Sequence, residues 1–451
     1  MLPDDVLLEI FDLYRKNHEC PQQWRFLVHV CRRWRQITFA SPRRLNLQVL
    51  CKHGTPVRKY LDIWPTFPIV VAYGSAIAPD DEDNAIAALE HPDRVCRIEL
   101  HVTESQIGKI VTVMQVPFPV LTQFSLATDL DVPVIPSGLL GGSAPCLQKI
   151  KLDRIPFPAL PTFLLSASNL IELRLWGIPP TGYISPEAMV AGLAALPRLV
   201  FFQLDFQPAT PIPDRSHPPP VTRTILPALT HLTFLGGCEY LEDFLARIDA
   251  PHLRWFQIIY WDLVDFEAPQ LCRFINRSEN LKKILSRRCK LALYRRLVEF
   301  AIACTVGHIS VRVACEGTDW QISQIIHALR LISPILFDMV HFSIWGSIVD
   351  LGEVIEDNIL EDIEWLQLLR LFPSVKTLFV SGKIAGRVAR VLEDIAGMIV
   401  TGVLPALDLL CLEQQPLSSV DEFIAFRRDS GHPVTIINVR KEFDDRLEAY
   451  L

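Results

Sequence analysis

Histidine, cysteine and serine are the residues from which hydrolytic, redox or metal chemistry would be built, and their local spacing here supports none of these. The 12 histidines are spread singly along the chain, and a lone histidine is more often a satisfied core or surface residue than a base or a ligand. No HExxH pair offers two imidazoles to zinc on one helix face, and no GxSxG turn lifts a serine above a sheet. The 11 cysteines include no CxxC pair and no Cys/His cluster at zinc spacing. Their odd count points to reduced, mostly buried thiols and not to a disulfide framework. Gly141-Gly142 and Gly236-Gly237 are isolated pairs in turn contexts, not loops that cradle phosphate. A triad gathered from distant residues would leave no spacing to read, and nothing in the sequence points to one. The sequence therefore implies a protein without cofactor or metal that performs no covalent chemistry of its own.

Charge separates the chain into two parts. Residues 1–60 carry eleven Lys/Arg against five Asp/Glu, a balance of +6, so the overall −7 leaves the remainder near −13. Lys282, Lys283, Arg287, Arg288, Lys290, Arg295 and Arg296 form a basic run. It reads as a solvated face of an amphipathic segment, because the acidic body around it repels phosphate and argues against nucleic acid as a partner. The most apolar stretches, 297–315 and 335–352, are broken by Glu299, Arg312, Asp338 and His341, which argues against a membrane span. The first residues, MLPDDVLLEIF, are acidic where a secretory signal is basic. These features imply a cytoplasmic or nuclear protein, for which the sequon Asn276-Arg277-Ser278 has no consequence.

The elements that would position a binding surface begin with a helix. Pro3 suits a first turn, Asp4 and Asp5 complement the helix dipole, and Val6, Leu7, Ile10, Phe11 and Tyr14 form one apolar stripe. The stripe runs only about three turns, too short to be stable without a partner surface. A second helix from Trp24 to Cys31 stacks Trp24, Leu27, Val28 and Cys31 on one side. A third segment runs from Arg33 to Phe39 and stops at Ser41-Pro42.

The run LP-x-D-V-L-x-x-I-F followed about twenty residues later by VCRRWR resembles the F-box family. Asp5 stands where a glutamate is more usual, and the loop Arg15–Gln23 lacks the usual acid–leucine start to the second helix. The resemblance implies a helical hook over residues 1–44 that docks on a Skp-type adaptor of a cullin ubiquitin ligase. Leu2, Pro3, Val6, Leu7, Ile10, Leu27, Val30, Cys31 and Trp34 would then form the adaptor interface or the hook's own core.

Behind the head, residues 45–451, the pattern apolar-x-x-apolar-x-apolar recurs twelve times. The starts are Val95, Leu121, Leu147, Leu170, Leu199, Leu229, Leu253, Val306, Met339, Val375, Leu407 and Val434. The first six intervals are 26, 26, 23, 29, 30 and 24 residues, and the last four 33, 36, 32 and 27. Between Leu253 and Val306 one unit is absent or degenerate. Proline lies two residues before the start in seven units, at Pro119, Pro145, Pro197, Pro227, Pro251, Pro373 and Pro405. Proline cannot continue a helix and extends its neighbour, so it marks a helix-to-strand switch. Helical periodicity fills the intervals at 104–115, 186–196, 239–249, 321–331, 361–372 and 384–400.

Strand plus helix every 20 to 30 residues resembles a leucine-rich repeat, in an irregular form without the asparagine common to such repeats. Together with TPVRKYLDIWPTFPIVV at 55–71, it is similar to the F-box proteins common in fungi. The fold class expected is an α/β repeat: a short three-helix F-box followed by an irregular leucine-rich-repeat solenoid. The proline-rich stretch 207–220 would be a passive loop. Residues between the buried strand positions would share one outward face, nominating Glu172, Arg174 and Trp176, then Phe201, Gln203 and Asp205, then Trp255 and Gln257, then His341, Ser343 and Trp345. Exposed aromatics beside charges are the composition of protein-binding hot spots. The function implied is a substrate receptor whose head holds the ligase while this face captures a target protein. The alternative is a repeat scaffold for protein–protein interaction outside ubiquitylation.

Overall fold

The computed structural model describes residues 2–16, 24–208, 222–261, 269–284, 288–294, 297–304, 307–314, 321–331, 336–346, 359–382, 384–397, 403–413, 415 and 417–439. It is mixed α/β with mostly parallel strands, in two compact units, Met1–Pro211 and Ile212–Leu451. The boundary falls in the proline-rich stretch, of which 209–220 lies outside the described residues. So do residues 17–23 of the first interhelical loop, the basic residues Arg287, Arg295 and Arg296, and the side chains of Lys282 and Lys283.

The first unit opens with α1 (Asp4–Lys16), α2 (Trp24–Val30) and α3 (Arg32–Ala40). The Leu7 N–H donates to the Pro3 carbonyl at 3.1 Å, and Asp4 and Asp5 occupy the first turn, where negative charge meets the unpaired amides. Phe11 is fully buried and lies 4.8 Å from the Trp34 ring. Helices α2 and α3 are seated on the segment 48–67. Trp24 is buried edge-on against Trp64 at 5.2 Å and Phe67 at 5.5 Å, and its Nε1 donates to the Gln48 carbonyl at 3.2 Å. Phe39 joins the cluster 5.6 Å from Phe67. The tryptophan-proline segment around Trp64 thus supplies an apolar seat for α2 and α3, while the short α1 stripe is covered from α3 through Phe11 and Trp34.

Next come β1 (Val49–Cys51), α4 (Val57–Ile63), β2 (Ile69–Ala76), α5 (Pro79–Leu89), β3 (Val95–His101), α6 (Glu104–Val113), β4 (Gln123–Ala127) and β5 (Lys149–Asp153). The unit closes with α7 (Leu160–Leu164), β6 (Glu172–Ile178), α8 (Pro186–Leu193) and β7 (Phe201–Phe206). The seven strands pair in chain order, all parallel. Register explains why. Ile98, Phe124, Ile150, Leu173 and Phe202 lie opposite one another on successive strands, as do Leu100, Leu126, Leu152, Leu175 and Leu204, and all ten are buried. A slip of one residue would turn each ladder out of the core.

The second unit contains β8 (Thr224–Ile225), β9 (His231–Gly236), α9 (Cys238–Arg247), β10 (Ile248–Asp249), β11 (Trp255–Tyr260), α10 (Pro269–Arg277) and α11 (Glu279–Ile284). It continues with β12 (Arg288–Tyr294), β13 (Leu297–Cys304), β14 (Gly307–Ala314), α12 (Gln321–Leu331), β15 (His341–Gly346), α13 (Ile359–Arg370) and β16 (Thr377–Gly382). Last are α14 (Ile384–Gly397), β17 (Leu409–Glu413), α15 (Asp421–Asp429) and β18 (Thr435–Val439). Among the described residues β8 pairs only with β10, and the other nine strands run in the order β9-β11-β14-β13-β12-β15-β16-β17-β18. Helix ends are tied laterally: the buried Glu242 of α9 accepts the Gln270 and Leu271 N–H groups of α10 at 2.8 and 2.7 Å. Glu393 of α14 does the same for Glu422 and Phe423 of α15, at 3.0 and 3.2 Å.

All twelve pattern segments carry a strand, and the six helical intervals carry helices. The prolines do something more specific than end a helix. The first apolar residue of the unit donates to the carbonyl three residues back, as in Leu121 to Phe118 at 3.2 Å and Leu147 to Ala144 at 3.1 Å. Leu199, Leu229, Leu253, Val375 and Leu407 repeat the bond, so all seven prolines hold the second position of a β-turn, whose φ proline already has. Leu170 and Met339 make the same turn without proline.

One expectation needs correction. Among the described residues the interval between Leu253 and Val306 carries two strands where the pattern showed none, and β12, β13 and β14 form an antiparallel meander laid into the sheet in reverse order. Only two residues separate β12 from β13, and two separate β13 from β14. A connection that short closes a hairpin, whereas a parallel crossover needs about a dozen residues or more.

Candidate functional site

On the head, position within each helix turn divides the nominated residues into two groups. Leu7 and Leu27 are buried with Phe11, Trp24 and Val28, so they build the head's core. Leu2, Pro3, Val6, Ile10 and Val30 face solvent. Cys31 is exposed and caps α3, its Sγ accepting the Trp34 N–H at 3.5 Å, while Trp34 is half-buried against Phe11. Arg33 pins the start of α1 by donating through Nε to Asp4 Oδ1 at 3.0 Å. Two residues that the sequence reading passed over are among the most exposed apolar side chains of the described residues, Leu13 at 57% and Phe26 at 67%. Leu13 extends the line of Val6 and Ile10 by one turn, a spacing that was open to reading; Phe26 lies beside two core positions of α2 and was not. Covering such a side chain is worth about 1.5–3 kcal/mol each, so α1 and α2 together present a surface with a strong drive to be covered.

The open sheet face of the first unit brings Glu172, Arg174 and Trp176 of β6 beside Lys149, Lys151 and Asp153 of β5. Phe201 and Gln203 of β7 lie opposite Glu172 and Arg174. Glu172 is shared by three cations, Arg174 at 2.5 Å and Lys149 and Lys151 at 3.6 Å each. The Arg174 guanidinium lies 4.1 Å over the Phe201 ring and 5.6 Å from Trp176. Trp176 and Phe201 are half-buried, so this face offers a charge network over aromatic planes and not free-standing anchors. Burial pushes the Asp205 carboxyl up to about 6, against the Gly177 backbone hydrogen bond that favours its charge, and nearby Asp153 adds to the rise. Burial likewise raises Asp153.

In the second unit Trp255 is the one nominated aromatic that stands well into solvent, 41% exposed. It lies between two imidazoles in register with it, His231 at 6.2 Å and His308 at 4.5 Å, both near-parallel. Burial lowers the pKa of both histidines. Gln257 lies between Thr233 and Ser310. His341 stands between Arg288 and Thr377, its pKa lowered by burial and then by Arg288. Ser343 stands between Lys290 and Phe379. Trp345 is half-buried, 5.8 Å from the Tyr294 ring and 5.6 Å from Lys290 Nζ. His231 and His308 were not among the nominated residues. Both sit two places after a pattern start, as Trp255 does, so the same rule applied to every unit would have found them.

Among the described residues no group of His, Cys, Asp or Glu is placed to hold a metal ion, and no helix is long and apolar enough to cross a membrane. No protein-family model matches the chain, and no curated protein matches it.

Proposed function

We propose that the chain is a substrate receptor of a cullin-type ubiquitin ligase, with residues 1–44 acting as an F-box on a Skp-type adaptor and the irregular repeat strands behind them presenting a target protein. The observation that carries this reading is the row of apolar side chains left in solvent at and before the start of α1, along it and on α2: Leu2, Val6, Ile10 and Leu13, with Phe26 and Val30. A head whose own core is already filled by Leu7, Phe11, Trp24 and Leu27 has no internal use for them. The sequence resemblance of LP-x-D-V-L and VCRRWR to the F-box names the partner that would cover them. Target capture falls to the sheet faces, with Trp255 as the most exposed anchor and the Glu172–Arg174–Phe201 network as a charged platform. Holding both partners raises the local concentration of target near the ubiquitin donor without any new contact between them.

Co-purification tests the reading. The intact protein should form a complex with a Skp-type adaptor at micromolar concentration, and Ile10→Asp combined with Phe26→Asp should abolish it while the protein stays folded. No complex with the folded intact chain overturns the assignment. Trp176→Ala and Trp255→Ala should leave adaptor binding unchanged and cost target capture.

A further inference from the structure

Near the start of the first unit the fold gathers a serine, a histidine and an aspartate that no local spacing announced. Ser75 Oγ lies 3.0 Å from His53 Nε2, and His53 Nδ1 lies 3.1 Å from Asp81 Oδ2. The Asp81 carboxylate is buried and accepts the Gly54 N–H at 3.1 and 3.2 Å on its two oxygens. The His53 ring is further fixed edge-on to Tyr73, at 5.1 Å and 89°. Each of the three comes from an element with a reason to be there. His53 follows the carboxyl end of β1, Ser75 sits at the carboxyl end of the parallel strand β2, and Asp81 lies in the first turn of α5. Ser75 is presented by a bulge: Tyr73 pairs with Leu100 and Ala76 with His101, so Gly74 and Ser75 loop out of register. Gly74, Ser75 and Ala76 are all exposed, and His53 is partly so.

The order of contacts is that of nucleophilic catalysis. A carboxylate on Nδ1 holds the imidazole in the tautomer whose Nε2 lone pair faces the serine hydroxyl. A purely structural network would satisfy Asp81 with the Gly54 amide and leave the far side of the ring without a task, whereas here that side holds a solvent-facing hydroxyl.

We propose that Ser75, His53 and Asp81 form an acyl-transfer centre for small uncharged esters, independent of the adaptor-and-target reading. Ser75 Oγ adds to the ester carbonyl carbon as its proton passes to His53 Nε2. The carbon–oxygen bond to the alcohol then breaks, and the leaving oxygen takes that proton. Water, deprotonated by the same nitrogen, attacks the acyl-serine, releasing the carboxylic acid and restoring the hydroxyl. The sum is ester plus water giving acid plus alcohol, with no oxidant or cofactor. Ser75 and His53 are the catalytic residues, and Asp81 is a positioning residue. Asp80 and Asp81 in the first turn of α5 disfavour anionic esters.

The experiment reads bond formation at Ser75. The intact protein is treated with an alkyl fluorophosphonate, whose fluoride the serine oxygen displaces, and the adduct is located by peptide mass mapping. One adduct on the peptide containing Ser75 is expected, absent in Ser75→Ala. His53→Gln and Asp81→Asn should slow labelling by about 10²–10⁴-fold, with fold verified by hydrogen exchange. The pH profile of labelling in wild type should not be reproduced by His53→Gln. A p-nitrophenyl acetate burst should disappear in Ser75→Ala. No adduct at Ser75 in the folded protein, or an equal labelling rate in folded His53→Gln, overturns the proposal.

Discussion

Replacing Asp205 by asparagine should stabilise the first unit at neutral pH and do so only where the wild-type carboxyl is charged. The folded protein holds the Asp205 proton to about pH 6, against an ordinary value of 3.8. Below about pH 4 both folded and unfolded chains carry the proton, and the site costs nothing. As pH rises from about 4 to 6 the unfolded chain releases its proton first, so stability falls across that window and the loss is complete above it. At about 1.4 kcal/mol per unit the full loss would approach ~3 kcal/mol. The side chain keeps some contact with solvent, which screens the penalty, so about 1–2 kcal/mol is the figure to expect. Asparagine keeps an oxygen for the Gly177 N–H and carries no charge. Urea titrations of wild type and Asp205→Asn, read by hydrogen exchange of peptides from β6 and β7, should therefore coincide near pH 4 and separate by that amount at pH 8. A pH-independent difference, or a variant less stable at pH 8 than at pH 4 relative to wild type, would refute the reasoning.

Trp24→Ala removes the centre of the aromatic cluster with Phe39, Trp64 and Phe67, at a cost of about 3–5 kcal/mol. Exchange should rise across α1 to α3 while β4 to β7 stay protected; unchanged protection of the head would show that the cluster does not seat it. Glu242→Ala leaves the Gln270 and Leu271 N–H groups without their carboxylate, at about 1–3 kcal/mol each. Glu242→Gln should recover part of that, and a thermal midpoint for Glu242→Ala equal to wild type would contradict the capping role.

What could be read from the sequence was what repeats locally. The strand positions were legible because each is an alternating run within six residues, and seven of the twelve are preceded by a proline β-turn, as at Pro119 and Leu121. The β12–β14 meander escaped because it breaks the strand–helix alternation of its neighbours, although three β-rich runs separated by two residues each are themselves a hairpin signal. On the head, the stripe separated apolar from polar but could not divide Leu7, which is buried, from Val6 and Ile10, which are not. That division depends on where Phe11 meets Trp34, a contact between distant segments. The grouping of Ser75, His53 and Asp81 was beyond reach for the same reason: parallel pairing of β1 with β2 and the bulge after Tyr73 create it. Residues 22 and 28 positions apart leave no mark on any local pattern.

The measurement that bears most directly on the central claim is the hydrogen-exchange footprint of a Skp-type adaptor on the intact protein. Protection confined to residues 2–13 and 24–34, lost in the Ile10→Asp, Phe26→Asp variant, is the predicted result. Protection elsewhere, or none at adaptor concentrations up to tens of micromolar, where binding would be weaker than about −6 kcal/mol, would contradict it.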